Sequence, residues 1–250
     1  MQQSSQISVI IPTLNEEHTL PLLLKSLQQQ TLKPMEIIHV DAHSDDHTVK
    51  RAQAFTSSLP LTTVRVTTRN VSFQRNQGAN NATGAWLLFL DADVTLPASF
   101  LADFQRQLPK NTAVCYNFRA KYMGNSFFYQ SCLKVYNGLV RLLKSSANPP
   151  VGEGCFAVKR QAFLASRGFK EQLQHSEGRD LVLRIKHLQS GSLDYLHHPF
   201  YFYNVRRLER MGSWNLIKTY TRMWFSHLLP TIVTSKLKTI TYPMHGGGQK

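Results

Sequence analysis

The sequence predicts an α/β protein built on a mostly parallel sheet with helices on both faces and a helical C-terminal extension. Three observations predict it. Short β-branched runs alternate with segments of helical spacing between Ile7 and Asp93. Polar clusters follow those runs directly, as they do where ligands bind beyond the carboxyl ends of parallel strands. A chain of 250 residues that is 42% hydrophobic can bury a sizeable core.

Taken in order, Ile7-Ser-Val-Ile-Ile11 reads as a buried strand ended by Pro12. Asn15 is placed to cap a helix that holds Glu16 and Glu17 in its first turn and Leu20, Leu23, Leu24 and Leu27 at helical spacing. Glu36-Ile-Ile-His-Val40 is the second strand, which completes a β-α-β unit. His47 to Phe55 reads as a helix, Thr62 to Thr67 as a strand, and Phe73 to Thr83 as a helix stopped at Gly84. Trp86-Leu-Leu-Phe-Leu90 is the fourth strand, and Asp91-Ala-Asp93 follows it. The loops Pro12 to Glu16, Asp41 to Asp46 and Asp91 to Asp93 should therefore converge on one crevice.

The charge is unevenly spread. Residues 1–125 carry 11 basic and 9 acidic side chains, and residues 126–250 carry 18 and 6, within a net charge of +14. The near-neutral half, with its clustered acids, suits metal and chemistry. The basic half suits phosphate groups, an anionic membrane face or nucleic acid.

Several classes are excluded or disfavoured. Cys115, Cys132 and Cys155 form no C-x-x-C pair and are odd in number, against a disulfide framework or a cysteine zinc site, so a reducing compartment fits. The apolar run near the N-terminus is too short for a secretion signal, and no stretch is long and apolar enough to span a bilayer. The chain has no G-x-x-x-x-G-K-[ST] loop, G-x-S-x-G elbow or H-E-x-x-H helix, and Gly152-Glu-Gly154-Cys-Phe-Ala157 lacks the preceding strand of a dinucleotide fingerprint.

Asp91-Ala-Asp93 is the sharpest chemical feature. At a strand's end one carboxylate can face a bound cation and the other a sugar hydroxyl. Mg²⁺ or Mn²⁺ takes one or two protein carboxylates and fills its other positions with diphosphate oxygens and water, where it neutralises a departing diphosphate.

Four linked segments then resemble glycosyltransferase family 2 in order and spacing: Ile7 to Glu17, Glu36 to Asp41, Arg75-Asn-Gln-Gly78 with Thr83-Gly84, and Leu88 to Asp93. The resemblance covers roughly residues 7–190. It implies a GT-A fold, a Rossmann-like sheet joined to an acceptor-binding part, and an inverting transfer of sugar from a nucleotide diphosphate-sugar. It further implies nucleotide-sugar contacts from Pro12, Thr13, Asn15, Glu16, Asp41, Arg75, Asp91 and Ala92, with the metal on Asp93. Asp41-Ala-His43 stands where the family often has two acids and a glycine, which leaves the nucleotide base open.

In the second half, Gly152 to Arg160 is similar to the segment leading into the family's acceptor site. Gly168 to Leu181 resembles its G-F-D-E, spacer, E-D-x-D-L stretch, but Gly178 stands where the family places its catalytic base. An inverting transfer needs a carboxylate to accept the acceptor's proton. Glu177 and Asp180 are the candidates, with Asp180 alternatively opening a helix over Leu181 to Leu188, and Glu153 is a third. His197 or His198 could join a metal site.

The expected organisation is a nucleotide-sugar-binding half over 1–110, an acceptor-binding half over 111–195 and a basic extension over 196–250. In the extension, Arg206 and Arg207 suit a diphosphate or phospholipid headgroup. A helix from Ser213 to Leu229 would put Trp214 and Trp224 on one face, with Lys218 and Arg222 largely opposite, and could either pack on its own domain or lie on a membrane. The reading is a glycosyltransferase, either free in the cytoplasm or peripheral on the inner membrane face, that uses Mg²⁺ or Mn²⁺, a nucleotide diphosphate-sugar and a lipid-linked or glycan acceptor, with no nucleic acid. Two alternatives are a nucleic-acid-binding protein that uses the basic half, and a sugar-nucleotide-binding protein altered in catalysis at Gly178.

Overall fold

A computed structural model of the chain describes residues 6–110, 112–124, 126–173, 176–189 and 191–203. The elements begin β1 (Ile7–Thr13), α1 (Leu20–Gln28), β2 (Glu36–Asp41), α2 (Thr48–Gln53), β3 (Leu61–Arg65), α3 (Val71–Asn81) and β4 (Trp86–Leu90). They continue with β5 (Val94–Thr95), α4 (Phe100–Gln107), β6 (Cys115–Tyr122), α5 (Phe127–Leu143), β7 (Cys155–Lys159), α6 (Arg160–Ala165), α7 (Glu177–Gln189) and β8 (Leu193–Tyr203).

The strands form one sheet in the order β3-β2-β1-β4-β7-β6-β8-β5. From β3 to β4 all pairing is parallel. Beyond β4 the sheet becomes mixed: β7 lies antiparallel to β4 and to β6, β8 parallel to β6, and β5 antiparallel to β8. The α/β class with helices on both faces stands, and the parallel pairing expected of the sheet holds through its first four strands. Since β8 carries the sheet to Tyr203, residues 196–203 belong to it rather than to an extension. Arg206, Arg207 and the helix expected over Ser213 to Leu229 lie outside the described residues.

All seven residues of β1 are buried, because helices cover both faces of its sheet. Val9 and Ile11 pack with Leu20, Leu23, Leu24 and Leu27 of α1 and with Phe100, Leu101 and Phe104 of α4. On the other face Ile10, Ile38 and Val40 pack with Ala79 of α3, Phe163 of α6 and Leu181, Val182 and Ile185 of α7. Each fully buried Leu, Ile or Phe contributes about 1.5–3 kcal/mol of transfer free energy, so this double layer fixes where the strand ends lie. Gly78 lets α3 close on β1, since a Cβ there would stand 2.4 Å from Ile10 Cγ2.

The starts of α1, α3 and α7 differ from expectation. Asn15 does not open α1, whose N-cap is Thr19 with proline in the first turn. Its backbone is left-handed, at φ 58°, a conformation that Asn tolerates better than most residues. Helix α3 starts before Phe73 because the Asn70 side chain accepts the Phe73 N–H at 2.8 Å. Helix α7 starts at Glu177, so Asp180 lies inside its first turn and does not cap it.

Candidate functional site

The loops after β1 and β2 are joined by hydrogen bonds. Asn15 N–H donates to Ser44 Oγ at 3.0 Å, and its side-chain oxygen accepts from Asp45 N–H at 2.8 Å. Glu16 N–H donates to Thr48 Oγ1 at 2.7 Å and Glu17 N–H to Asp46 at 3.1 Å. From behind, the buried Gln74 amide of α3 donates to the Thr13 carbonyl at 2.8 Å and the Val40 carbonyl at 2.7 Å, which ties the ends of both strands to one helix. These bonds fix the loops' backbone while Asn15 and Glu16 stay partly exposed.

Asp41 closes β2 and is fully buried. One oxygen accepts from Ser44 Oγ at 2.5 Å and Thr13 Oγ1 at 3.3 Å, and the other accepts from Ser44 N–H at 3.0 Å. The carboxylate thus organises the two loops, and Pro12 and Thr13 are buried with it. Beneath them, His39 lies between Thr13 Oγ1 at 2.8 Å and Thr63 Oγ1 at 3.1 Å, and burial pushes its pKa down to about 4 against the pull of Asp41.

Arg75 is buried in α3. Its Nη2 donates to Asp91 Oδ1 at 2.9 Å and to the Glu153 carbonyl at 3.3 Å, and its Nη1 donates to Glu177 Oε1 at 2.9 Å. Burial opposes its charge, but Asp91, Glu177 and Glu153 outweigh burial and hold its pKa above the usual value. The sequence pattern places Arg75 at the nucleotide; the structure joins it to three acidic residues, in the loops after β4 and before β7 and at the start of α7.

Asp93 stands apart. It is buried, and its Oδ1 has no hydrogen-bond partner among the described residues. Burial, then the neighbouring Asp91 charge, push its pKa up to about 7. Asp91 keeps 36% of its side chain exposed, whereas Ala92 is buried. Among the described residues no three His, Cys, Asp or Glu gather as ready metal ligands. His197 and His198 lie on β8, where His197 meets Arg119 at 2.8 Å.

The three base candidates occupy different surroundings. Glu177 is buried, with one oxygen on Arg75 and its Oε2 without a hydrogen-bond partner among the described residues. Asp180 binds Lys170 at 2.8 Å and Arg184 at 2.7 Å; burial pushes its carboxyl up, but these hydrogen bonds and charges hold it below the ordinary value. Glu153 is partly exposed, and its Oε1 accepts the Gly178 N–H at 2.8 Å. Burial and the Glu177 carboxylate hold its pKa well above the ordinary range, with Arg75 opposing. A Cβ on Gly178 would stand 3.0 Å from Glu153 Cγ, so Glu153 fills the space that a side chain at position 178 would enter. The signal for Glu153 in the sequence was its place in Gly152 to Arg160, the segment similar to the one leading into the family's acceptor site.

Loops gathered at the carboxyl ends of parallel strands, with partly exposed carboxylates and a buried one that has a free oxygen among the described residues at the switch from parallel to mixed pairing, define a Rossmann-like α/β ligand-binding protein. The chain belongs to glycosyl transferase family 2, whose model matches residues 8–165. An uncharacterised glycosyltransferase of Haemophilus influenzae is 31% identical over 185 residues, 72% of this chain and 61% of the relative. A PGL/p-HBAD biosynthesis glycosyltransferase of Mycobacterium bovis is 43% identical over 91 residues, 36% of each chain. The chain therefore spans about 61% or less of the length of these two relatives.

Two solved structures share the GT-A fold. The mannosyltransferase PcManGT of Pyrobaculum calidifontis, in complex with GDP-Man and Mn²⁺, superposes with a TM-score of 0.67 at 20% identity, over 82% of this chain and 59% of that one. S. aureus TarS 1-349 in complex with UDP-GlcNAc gives 0.64 at 21% identity, over 78% and 57%.

Proposed function

We propose that the chain transfers a glycosyl group from a nucleotide diphosphate-sugar to an acceptor hydroxyl, with Mg²⁺ or Mn²⁺ held at Asp93. The observation that carries this reading is Asp93 Oδ1, a buried carboxylate oxygen without a hydrogen-bond partner among the described residues, beside a second, partly exposed carboxylate. A hard cation satisfies such an oxygen and favours its ionised form. Among the described residues no three His, Cys, Asp or Glu gather there, and a cation held at Asp93 would be completed by diphosphate oxygens of the donor and water. Bound there, the cation supplies Lewis-acid stabilisation of the departing nucleoside diphosphate.

The remaining roles belong to the chain's own groups. The joined loops carrying Asn15, Glu16 and Ser44 form the nucleotide's seat, and the buried Thr13 and Asp41 keep it in shape. Asp91, anchored by Arg75, faces the donor sugar. Glu153 takes the acceptor hydroxyl's proton as the acceptor oxygen bonds to the anomeric carbon and the bond to the diphosphate breaks. It is favoured over the two carboxylates expected from sequence because Glu177 is buried on Arg75 and Asp180 is held by two cations. A carboxyl held above its usual range is also a stronger proton acceptor once ionised.

Thermal melting of the protein with UDP- and GDP-sugars, with and without Mn²⁺, tests the donor reading. A stabilisation that needs both is expected, and Asp93→Asn should remove it. No stabilisation by any donor, or unchanged Mn²⁺ dependence in Asp93→Asn, refutes the donor or the metal assignment respectively. For the base, Glu153→Gln should cut kcat at least ~100-fold with donor affinity kept. Retained turnover in Glu153→Gln alongside its loss in Glu177→Gln would return the role to Glu177.

A further inference from the structure

Helix α5, the longest among the described residues, leaves an apolar stripe in solvent. At about 100° per residue, Phe128, Cys132, Val135, Leu139 and Leu142 share one face. Val135 is 63% exposed and Leu142 76%, and Met123 and Phe127, at the helix's leading end, are 58% and 78% exposed. The opposite face is anchored. Asn137 exchanges two hydrogen bonds with the Ala120 backbone, at 2.9 and 2.8 Å, where β6 has run past its pairing with β7. Tyr129 packs on Tyr122 and Tyr203. The stripe is therefore held outward by the fold.

The rim on one side is cationic. Lys134 and Arg141, seven residues apart and both exposed, lie on that flank of the helix, between the stripe and the anchored face. With them stand Arg119, against His197, and Lys121, whose Nζ sits 3.4 Å over the Phe200 ring. The charges of Arg119, His198, Arg141 and Lys121 add to burial in lowering the His197 pKa, which marks these groups as one cluster. No Asp or Glu occurs between Asp103 and Glu153, a stretch with seven Lys or Arg. The single acid of β8, Asp194, is paired with Lys144.

Charge selects the occupant. A second copy would bring Lys134 and Arg141 against their own counterparts. Residues 204–250 hold eight Lys or Arg and one acid, Glu209, so they too share the sign of the rim. An anionic bilayer accepts both the apolar stripe and the cations.

We propose that α5, with the cationic face of β6 and β8 beside it, docks on an anionic lipid bilayer. This surface is distinct from the one expected of the C-terminal residues and does not depend on the donor reading. Its leading end meets the strand-end crevice: Tyr203, which packs on Tyr129, stands with Asp91 within 4 Å of where a Cβ on Gly154 would be. Docking therefore brings the carboxylates of the site to the lipid surface.

Flotation of the full chain with phosphatidylcholine vesicles, with or without phosphatidylglycerol, tests this surface. Binding is expected only with the anionic lipid and should be released by high salt. Replacing Val135 and Leu142 by Glu, or Lys134 and Arg141 by Gln, should each weaken it at least ~10-fold with the melting temperature kept. A polarity-sensitive dye on Cys132, the exposed thiol, should shift to the blue on binding, since Cys115 and Cys155 are buried. Absence of binding at low salt, binding by both double variants as strong as that of the unaltered chain, or binding without a dye shift would each overturn the proposal. So would self-association that Leu142→Glu abolishes, which would make a second copy the occupant.

Discussion

The two halves of the sheet are held together by different means. From β1 to β4 the strands are parallel, and the loops at their ends are tied by side-chain to backbone bonds such as Gln74 to Thr13 and Val40. From β6 to β8 the pairing is mixed, and the chain is strongly basic around an outward helix. The first half is thus a stiff seat whose polar groups mostly bond one another. The second presents charge and apolar surface to the outside. Rigid placement suits a donor whose diphosphate must lie in one orientation, while an open cationic face suits a large, anionic partner.

Arg75 is where the halves meet, since it joins α3 to Asp91, to Glu153 and to Glu177 on α7. The largest effect on stability is expected here. Arg75→Met should cost about 3–5 kcal/mol in denaturant unfolding, because it leaves the buried Glu177 carboxylate uncompensated. A loss below ~1 kcal/mol would mean that the halves are held by apolar packing alone and that the buried pair is dispensable.

The next effect belongs to the first half and follows from His39. Its ring is neutral when folded, with a pKa near 4 against about 6.5 in the unfolded chain. The unfolded state therefore binds the extra proton between those values. The stabilisation is fully present above pH 6.5 and is lost as the pH falls towards 4, on the order of 3 kcal/mol. Unfolding free energy measured across that window should flatten in His39→Gln. An equal slope in the variant would move the titration to other groups.

The first four strands were legible because each is a short β-branched or continuous apolar run with a polar stop, and Trp86 to Leu90 occurs as read. Helix caps were less legible. Asn15 has the composition of a cap, but its amide side chain and backbone are used to bind the neighbouring loop. The second half hid its strands because β6 and β8 mix charged and aromatic residues without strict alternation, and β8 inserts His197 to Pro199 at a break in register with β6. Asp91 and Asp93 could be read from their place after a strand. The partnership of Arg75 with Glu153 and Glu177 could not, since 78 and 102 residues separate them and only the folded chain brings them together.

The smallest expected effect sharpens the comparison at its most ambiguous residue. Gly178 could be a position that lost its function, or one kept small so that Glu153 can occupy the space. The geometry favours the second: an added methyl would approach both Glu153 Cγ and Val151 Cγ1 at 3.0 Å, and the Gly178 N–H holds Glu153 Oε1. Gly178→Ala should therefore reduce stability only modestly, by about 1 kcal/mol or less, because helix propensity gained in the first turn of α7 offsets part of the crowding. Its effect on turnover should be the larger one, as the displaced Glu153 carboxylate loses its alignment. Melting and kinetics measured together separate the two accounts. Unchanged turnover with a small change in melting would show that Glu153 need not stand where Gly178 now holds it.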